Sequence, residues 1–133
     1  MTREDLVEKA RAARLNAHAP YSGFRVGAAL LAQDGTVVTG ANVENASYGA
    51  TVCAERVALF AAVAAGHRSF AAMAVVTQGQ RPSPPCGICL QALGEFCDDL
   101  PIHLALPEGD VIVDTSLRAL LPAKFRLQIK VDG

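Results

Sequence analysis

The sequence predicts an α/β domain in which helices pack on one mixed β-sheet. Segments with helical spacing of apolar residues alternate with short apolar runs of strand length. One hairpin signal, Asp34-Gly35, joins two of those runs directly, so part of the sheet is antiparallel while the rest is reached through helices. The length, 133 residues, suits a single domain spanning 1–133, and 51% hydrophobic residues suffice for a core of its own.

In chain order, Glu4 to about His18 reads as a helix. Leu6, Val7, Ala10, Ala13, Arg14 and Ala17 form its mostly apolar stripe. Thr2 is a suitable N-cap, Glu4 and Asp5 complement the helix dipole, and Pro20 marks the end. Tyr21 to Phe24 is a loop. Val26 to Ala32 is a strand, and Thr36 to Thr39 its return after the Asp34-Gly35 turn. Polar Asn42 to Gly49 reads as a loop. A helix apolar nearly all round, hence central and buried, is expected from about Val52 to Ala65, with Gly66 as its stop. Phe70 to Thr77 is a buried strand. The proline-rich stretch Gln78 to Pro85 is a loop, and Cys86 to Cys97 a third helix. Ile102 to Leu106 and Val111 to Val113 are short strands about a Pro-Glu-Gly-Asp turn. Thr115-Ser116 then caps a short helix through Leu121, stopped by Pro122.

Composition narrows the function. Net charge is −1 with no basic stripe, which argues against a nucleic-acid backbone as ligand. No apolar run is long enough to span a membrane, and Met1 to Asp5 lacks an apolar signal region, so a cytoplasmic location is expected. In that compartment four cysteines point to metal or catalysis rather than disulfides. A mean hydropathy of +0.26 fits either an Ala- and Val-rich core or apolar surface buried between subunits.

The chemistry concentrates in Cys53-Ala54-Glu55-Arg56 and Pro85-Cys86-Gly87-Ile88-Cys89. Cys86 and Cys89 have metal-ligand spacing, although the same pair suits a redox dithiol or two buried cysteines. Cys53 shifts the balance, because it opens the second helix as Cys86 opens the third. Both helix N-termini then favour thiolate at one spot. Three thiolates leave a tetrahedral zinc one protein ligand short, the pattern of a catalytic site. Cys97 lies about 12 Å beyond Cys89 at standard helical rise, too far to share an ion. His18, His67 and His103 show no ligand-pair spacing. Glu55 sits in the first turn beside the ion rather than on it, placed for general acid/base work or simply as a carboxylate at a helix start. Arg56 either donates to a thiolate, drawing charge off the ligands, or is a solvated helix residue.

Cys-Ala-Glu followed by Pro-Cys-x-x-Cys resembles the signature of zinc-dependent nucleoside and nucleobase deaminases. The likeness extends through Ala19-Pro20-Tyr21-Ser22, Phe24 to Leu30, Asn42 to Gly49 and Leu120 to Phe125, and is to the short homotetrameric cytidine deaminases. The resemblance implies a three-layer fold, Zn2+ as cofactor, and hydrolytic deamination of cytidine and deoxycytidine, a step of pyrimidine salvage. On that reading Cys53, Cys86 and Cys89 hold zinc, its hydroxide attacks C4 of the pyrimidine, and Glu55 shuttles protons. Asn42 and Glu44 bond the ribose 3′-hydroxyl. Phe24 lines the base pocket, Ala54 contacts the base through its backbone, and Ala46 and Tyr48 belong to the substrate loop. Phe125 reaches the site of a neighbouring subunit.

Two positions depart from the family pattern. Leu90 stands where an arginine is common, which places more of the metal's tuning on Arg56, and Pro84-Pro85 replaces Ser-Pro before Cys86. Three other readings remain at this point. One is an aminonucleoside-antibiotic (blasticidin-type) deaminase with the same chemistry, against which Asn42-Val43-Glu44-Asn45 argues for an ordinary ribose. The others are a structural zinc module, which needs a fourth protein ligand, and a thiol redox protein using Cys86 and Cys89.

Overall fold

The computed structural model describes residues 1–128. Five strands form one mixed sheet in the order β2-β1-β3-β4-β5. They are β1 (Val26–Ala32), β2 (Val37–Ala41), β3 (Phe70–Thr77), β4 (Pro101–Ala105) and β5 (Ile112–Ser116). Only β3 and β4 run parallel; the remaining pairs are antiparallel. The helices are α1 (Arg3–Arg14), α2 (Ala54–Ala64), α3 (Gly87–Phe96) and the short α4 (Leu117–Leu120).

Strand alternation sends side chains to two cores, which makes three layers. On one face Leu6, Val7 and Ala10 of α1 pack against Ala29, Ala74, Val76 and Ala105. On the other, Ala54, Ala58, Leu59 and Ala62 of α2 and Leu90 and Leu93 of α3 cover Leu30, Met73, Val75, Ile102 and Leu104. The expected α/β fold with helices on a mixed sheet is therefore present. Close approach is secured by two strand glycines. A Cβ at Gly27 would lie 2.1 Å from the Ala10 carbonyl oxygen of α1, and one at Gly40 would lie 2.5 Å from the Ala58 amide nitrogen of α2.

The start of α1 follows the sequence: Thr2 and Asp5 form a reciprocal capping box. Its end does not. The helix ends at Arg14, with Leu15 as C-cap, rather than at His18, because the amides of Leu15, Asn16 and Ala17 tighten onto carbonyls three residues back. The His18 backbone is taken instead by Asn42 and Glu44, with N–H to Asn42 O at 2.9 Å and its carbonyl accepting from Glu44 N at 2.8 Å. For the same reason the stretch expected to be loop from Asn42 carries isolated β-bridges through Val43 to His18 and Val52, followed by a 3₁₀ turn, Tyr48–Ala50. β2 runs on to Ala41 because Gly40 and Ala41 pair with Ala28 and Gly27. β5 runs on to Ser116, which pairs with Pro101 and still caps α4 through its hydroxyl.

The α2 helix is not buried all round. Ala58, Leu59 and Ala62 are sealed, but Phe60 is 50% exposed, since the sheet and α3 cover only part of its circumference. Among the described residues no helix is long and apolar enough to cross a membrane.

The glycine contacts carry a sign that can be tested. Gly40→Ala puts a methyl group against the α2 backbone and should destabilise the chain by about 1–3 kcal/mol in urea denaturation. An ordinary strand Gly→Ala change, in contrast, tends to be neutral or stabilising.

Candidate metal centre and adjoining cleft

Two helices begin at the same place. Cys53 is the N-cap residue of α2 and Cys86 that of α3, both with extended backbone, and neither uses its side chain to cap. Cys89 lies in the first turn of α3 and is fully buried. The approach to Cys53 is fixed one residue earlier, where Val52 and Val43 exchange two backbone hydrogen bonds of 3.0 Å. Free Cys53 Sγ is thereby left to face the α3 terminus.

The sulfur atoms of Cys53, Cys86 and Cys89 all lie within 4.8 Å of one another, and the Cys86 and Cys89 sulfurs are 3.5 Å apart. Thiolates on a tetrahedral zinc stand about 3.8 Å apart, given Zn–S bonds of ~2.3 Å, so the donor set and spacing fit zinc. Among the described residues no fourth histidine, cysteine or carboxylate joins the group. Cys97 is buried in the core, where burial raises its thiol pKa. His67 faces Asp34, and His103 Nδ1 lies 2.7 Å from Asp114. Three converging thiols are more than a two-cysteine redox pair requires, and they lack the fourth ligand of a closed structural site.

Electrostatics favour anionic sulfur here. Closeness to Cys89 and then Arg56 lower the Cys53 thiol pKa, while closeness to Cys53 and burial raise that of Cys89. A dication bound by the three sulfurs would displace their protons. Arg56 Nη2 donates to Cys53 Sγ at 3.5 Å, as one of its two sequence readings required. Its Nε is buried with no partner among the described residues.

Glu55 is only 5% exposed. Burial pushes its carboxyl up to about 7, the Cys53 thiolate adding to the rise against the helix-start amide. It opens onto a cleft of ≈ 340 Å³ together with Cys53, Ala54, Cys86, Phe24, Asn42 and Glu44. Asn42 is buried and oriented, with Oδ1 accepting from Val26 N and Nδ2 donating to the Phe24 carbonyl, each at 2.8 Å. Glu44 accepts from the amides of Tyr21 and Ser22 at 3.0 Å and from the Ser22 hydroxyl, which lowers its pKa.

The structure therefore gathers the predicted ligands, Glu55, Phe24, Asn42, Glu44 and Ala54. Tyr48 lines a neighbouring hollow that shares Glu44, Ser22 and Thr51 with the cleft, and its ring meets Tyr21 edge-on at 6.3 Å. Ala46 is exposed and lines neither space. Phe125 is 68% exposed and outside its own chain's cleft; Gln91 holds its backbone, donating to the Phe125 carbonyl at 3.0 Å. Sequence reasoning missed the walls supplied by Ser22, Thr51, Thr77 and Ser83. Small hydroxyl residues carry no motif of their own, although Thr77 ending an otherwise apolar strand was a visible irregularity.

Residues 1–102 match the family model described as cytidine and deoxycytidylate deaminase zinc-binding region. The chain belongs to this family. Zinc is accordingly its cofactor, and Cys53, Cys86 and Cys89 form the cluster that could hold it. It is 50% identical over 126 residues to a cytidine deaminase of Halalkalibacterium halodurans, covering 94% of this chain and 95% of that one. A cytidine deaminase of Sporosarcina psychrophila is 49% identical over 123 residues, covering 92% and 90%. The crystal structure of cytidine deaminase from Burkholderia pseudomallei superposes with a TM-score of 0.89 at 52% identity, over 94% of this chain and all of that one.

Removing one sulfur should unload the centre. Cys86→Ala is expected to fold but to carry well below one zinc per chain by elemental analysis, with the wild-type chain near full loading.

Proposed function

We propose that this protein hydrolyses the exocyclic amine of cytidine and deoxycytidine, giving uridine or deoxyuridine and ammonia. One observation carries the reading: a buried carboxylate, Glu55, shares a cleft with Cys53 and Cys86 of a three-cysteine cluster that has no fourth protein ligand among the described residues. Zinc, when bound, supplies Lewis acidity that makes water a competent nucleophile near neutral pH. Glu55 does the proton work. With its pKa lifted to about 7 by burial, it can accept a proton from water and return it near neutrality. It takes the proton of the attacking water and delivers it to N3 of the pyrimidine, which makes C4 electrophilic. The water oxygen bonds to C4, Glu55 carries the remaining proton of that new hydroxyl to the amino nitrogen, and the C4–N bond breaks to release ammonia and leave the C4 carbonyl.

The remaining groups hold a neutral nucleoside. Phe24 offers an aromatic face to the base, and the Ala54 backbone at the start of α2 a polar contact. Asn42 keeps one amide hydrogen and one lone pair free for a ribose hydroxyl after its two backbone bonds. Glu44, anchored by three donors, presents its carboxylate to the same end. Ala46 and Tyr48 border that loop. Phe125 is assigned to a neighbouring subunit's site within a homotetramer; its exposure, and that of Phe60 on α2, suit burial between subunits. A cytoplasmic setting agrees with four cysteines left unpaired.

Purified protein incubated with cytidine should release uridine and ammonia, and a zinc chelator should stop it. Glu55→Gln should keep its zinc yet lose about 10²–10⁴-fold in kcat, because proton transfer rather than a ligand is removed. Near-normal turnover by that variant would refute the assignment of Glu55.

A further inference from the structure

The loop between β3 and α3 delivers Cys86 to the metal centre; Pro85 is buried beside it, yet hydrogen bonds along the loop are few. Among the described residues no backbone–backbone hydrogen bond involves residues 79–85. Its last part is Pro82-Ser83-Pro84-Pro85, so prolines fix φ at three of the four positions before Cys86 and remove their amide hydrogens. Ser83 is left with the only backbone donor of that run. The side chain that accepts it is Thr77: Ser83 N donates to Thr77 Oγ1 at 2.9 Å.

Thr77 ends β3, whose other residues are all apolar. It is 4% exposed, one of the few buried polar residues of the chain. By strand alternation it follows Met73 and Val75, which face α2 and α3, and it lines the cleft with Ser83 and Cys86. The first residue of the loop is tied separately. Gln78 Oε1 accepts from Arg14 Nη2 at 2.9 Å and from Arg25 N at 3.3 Å. The two bonds differ in what they hold: Gln78 fixes where the loop leaves the sheet, and Thr77 fixes the stiff arm that ends on the zinc ligand.

We propose that Thr77 is a positioning residue for the zinc centre: its hydroxyl, by capturing the Ser83 amide, pins the proline-stiffened segment 82–85 and so sets the place of Cys86. A run with three fixed φ angles transmits a displacement instead of absorbing it, so freeing Ser83 moves the Cys86 sulfur against Cys53 and Cys89. The assignment rests on the zinc site alone and not on the identity of the substrate. It is distinct from a plain strand role, because threonine and valine share the branched shape that suits a strand and differ here only in the oxygen.

The test compares zinc release from purified holoenzyme into excess 4-(2-pyridylazo)resorcinol, with folding checked by circular dichroism. Thr77→Val should release zinc about 10-fold faster than wild type, the scale on which outer-shell partners act on bound metals. Thr77→Ser, which keeps the hydroxyl and loses the methyl group, should release it at the wild-type rate. A folded Thr77→Val with unchanged release, or equal acceleration in both variants, overturns the proposal. Should Thr77→Val not fold, amide exchange in the wild-type protein decides. The Ser83 amide should exchange at least about 10-fold more slowly than that of Gln80 in the same loop, as a captured donor does. Exchange as fast as Gln80 overturns it. None of these readouts needs cytidine, so failure of the deaminase reading would leave them interpretable.

Discussion

Three sulfur atoms from two helix starts must meet within a few ångström, and most of the architecture can be understood as the means of bringing them there. A metal cannot pull two helices together from a distance; the sheet has to present their N-termini already facing. α2 is seated by Gly40, where its backbone lies against β2 with no room for a methyl group. α3 is seated by Leu90 and Leu93 in the core it shares with α2. Both helices follow strands of one sheet and start at the same end of it, so their partial positive charges add where thiolates are required. Convergence also sets the opposite shifts of the two thiols: sulfurs this close in a half-buried setting cannot all ionise without a cation between them, and Cys53 is lowered while Cys89 is raised.

The parts of this arrangement that were legible in the sequence are those written in local chemistry. Thr2, Asp34-Gly35 and the Phe70–Thr77 run announce a helix N-cap, a turn and a buried strand through residue type alone, and they appear where expected. The two cysteine motifs at predicted helix starts supplied the centre. What could not be read was competition between distant backbones. Residues Ala17 and His18 continue a helical pattern, but the 42–44 segment offers the His18 backbone two good hydrogen bonds, and pairing wins over one more helical turn. Likewise, α2 looks uniformly apolar in sequence, and nothing local tells which third of its surface the single chain leaves open at Phe60.

The cleft illustrates preorganisation more than complementarity of charge. Asn42 and Glu44 are polar groups whose hydrogen bonds within the chain fix them before any ligand arrives. Asn42 ties the backbones of Phe24 and Val26, and Glu44 ties those of Tyr21 and Ser22. The loop carrying Phe24 therefore cannot move independently of the residues assigned to the ribose. A ligand meets an aromatic wall and its polar contacts as one unit, which lowers the ordering cost of binding. The same bonding explains why the His18 region leaves its helix: the strand-like path of residues 42–44 is what aims both side chains inward.

Charge balance at the metal is the remaining constraint. Three thiolates on a dication leave a net charge near −1, which blunts the ion's ability to polarise water. Leu90, at the position where an arginine would add compensation, is instead buried in the apolar core beneath α2 and α3 and contributes packing. In this chain the positive groups placed at the sulfurs are Arg56, which donates to Cys53, and the two helix starts. Arg56 reaches one sulfur with Nη2 and keeps a buried Nε in reserve, so a small turn of the guanidinium could bring a second donor to the thiolates once all three are ionised. An apolar residue at 90 thus adds to the packing under α3 and leaves Arg56 of α2 as the arginine in contact with a cluster sulfur.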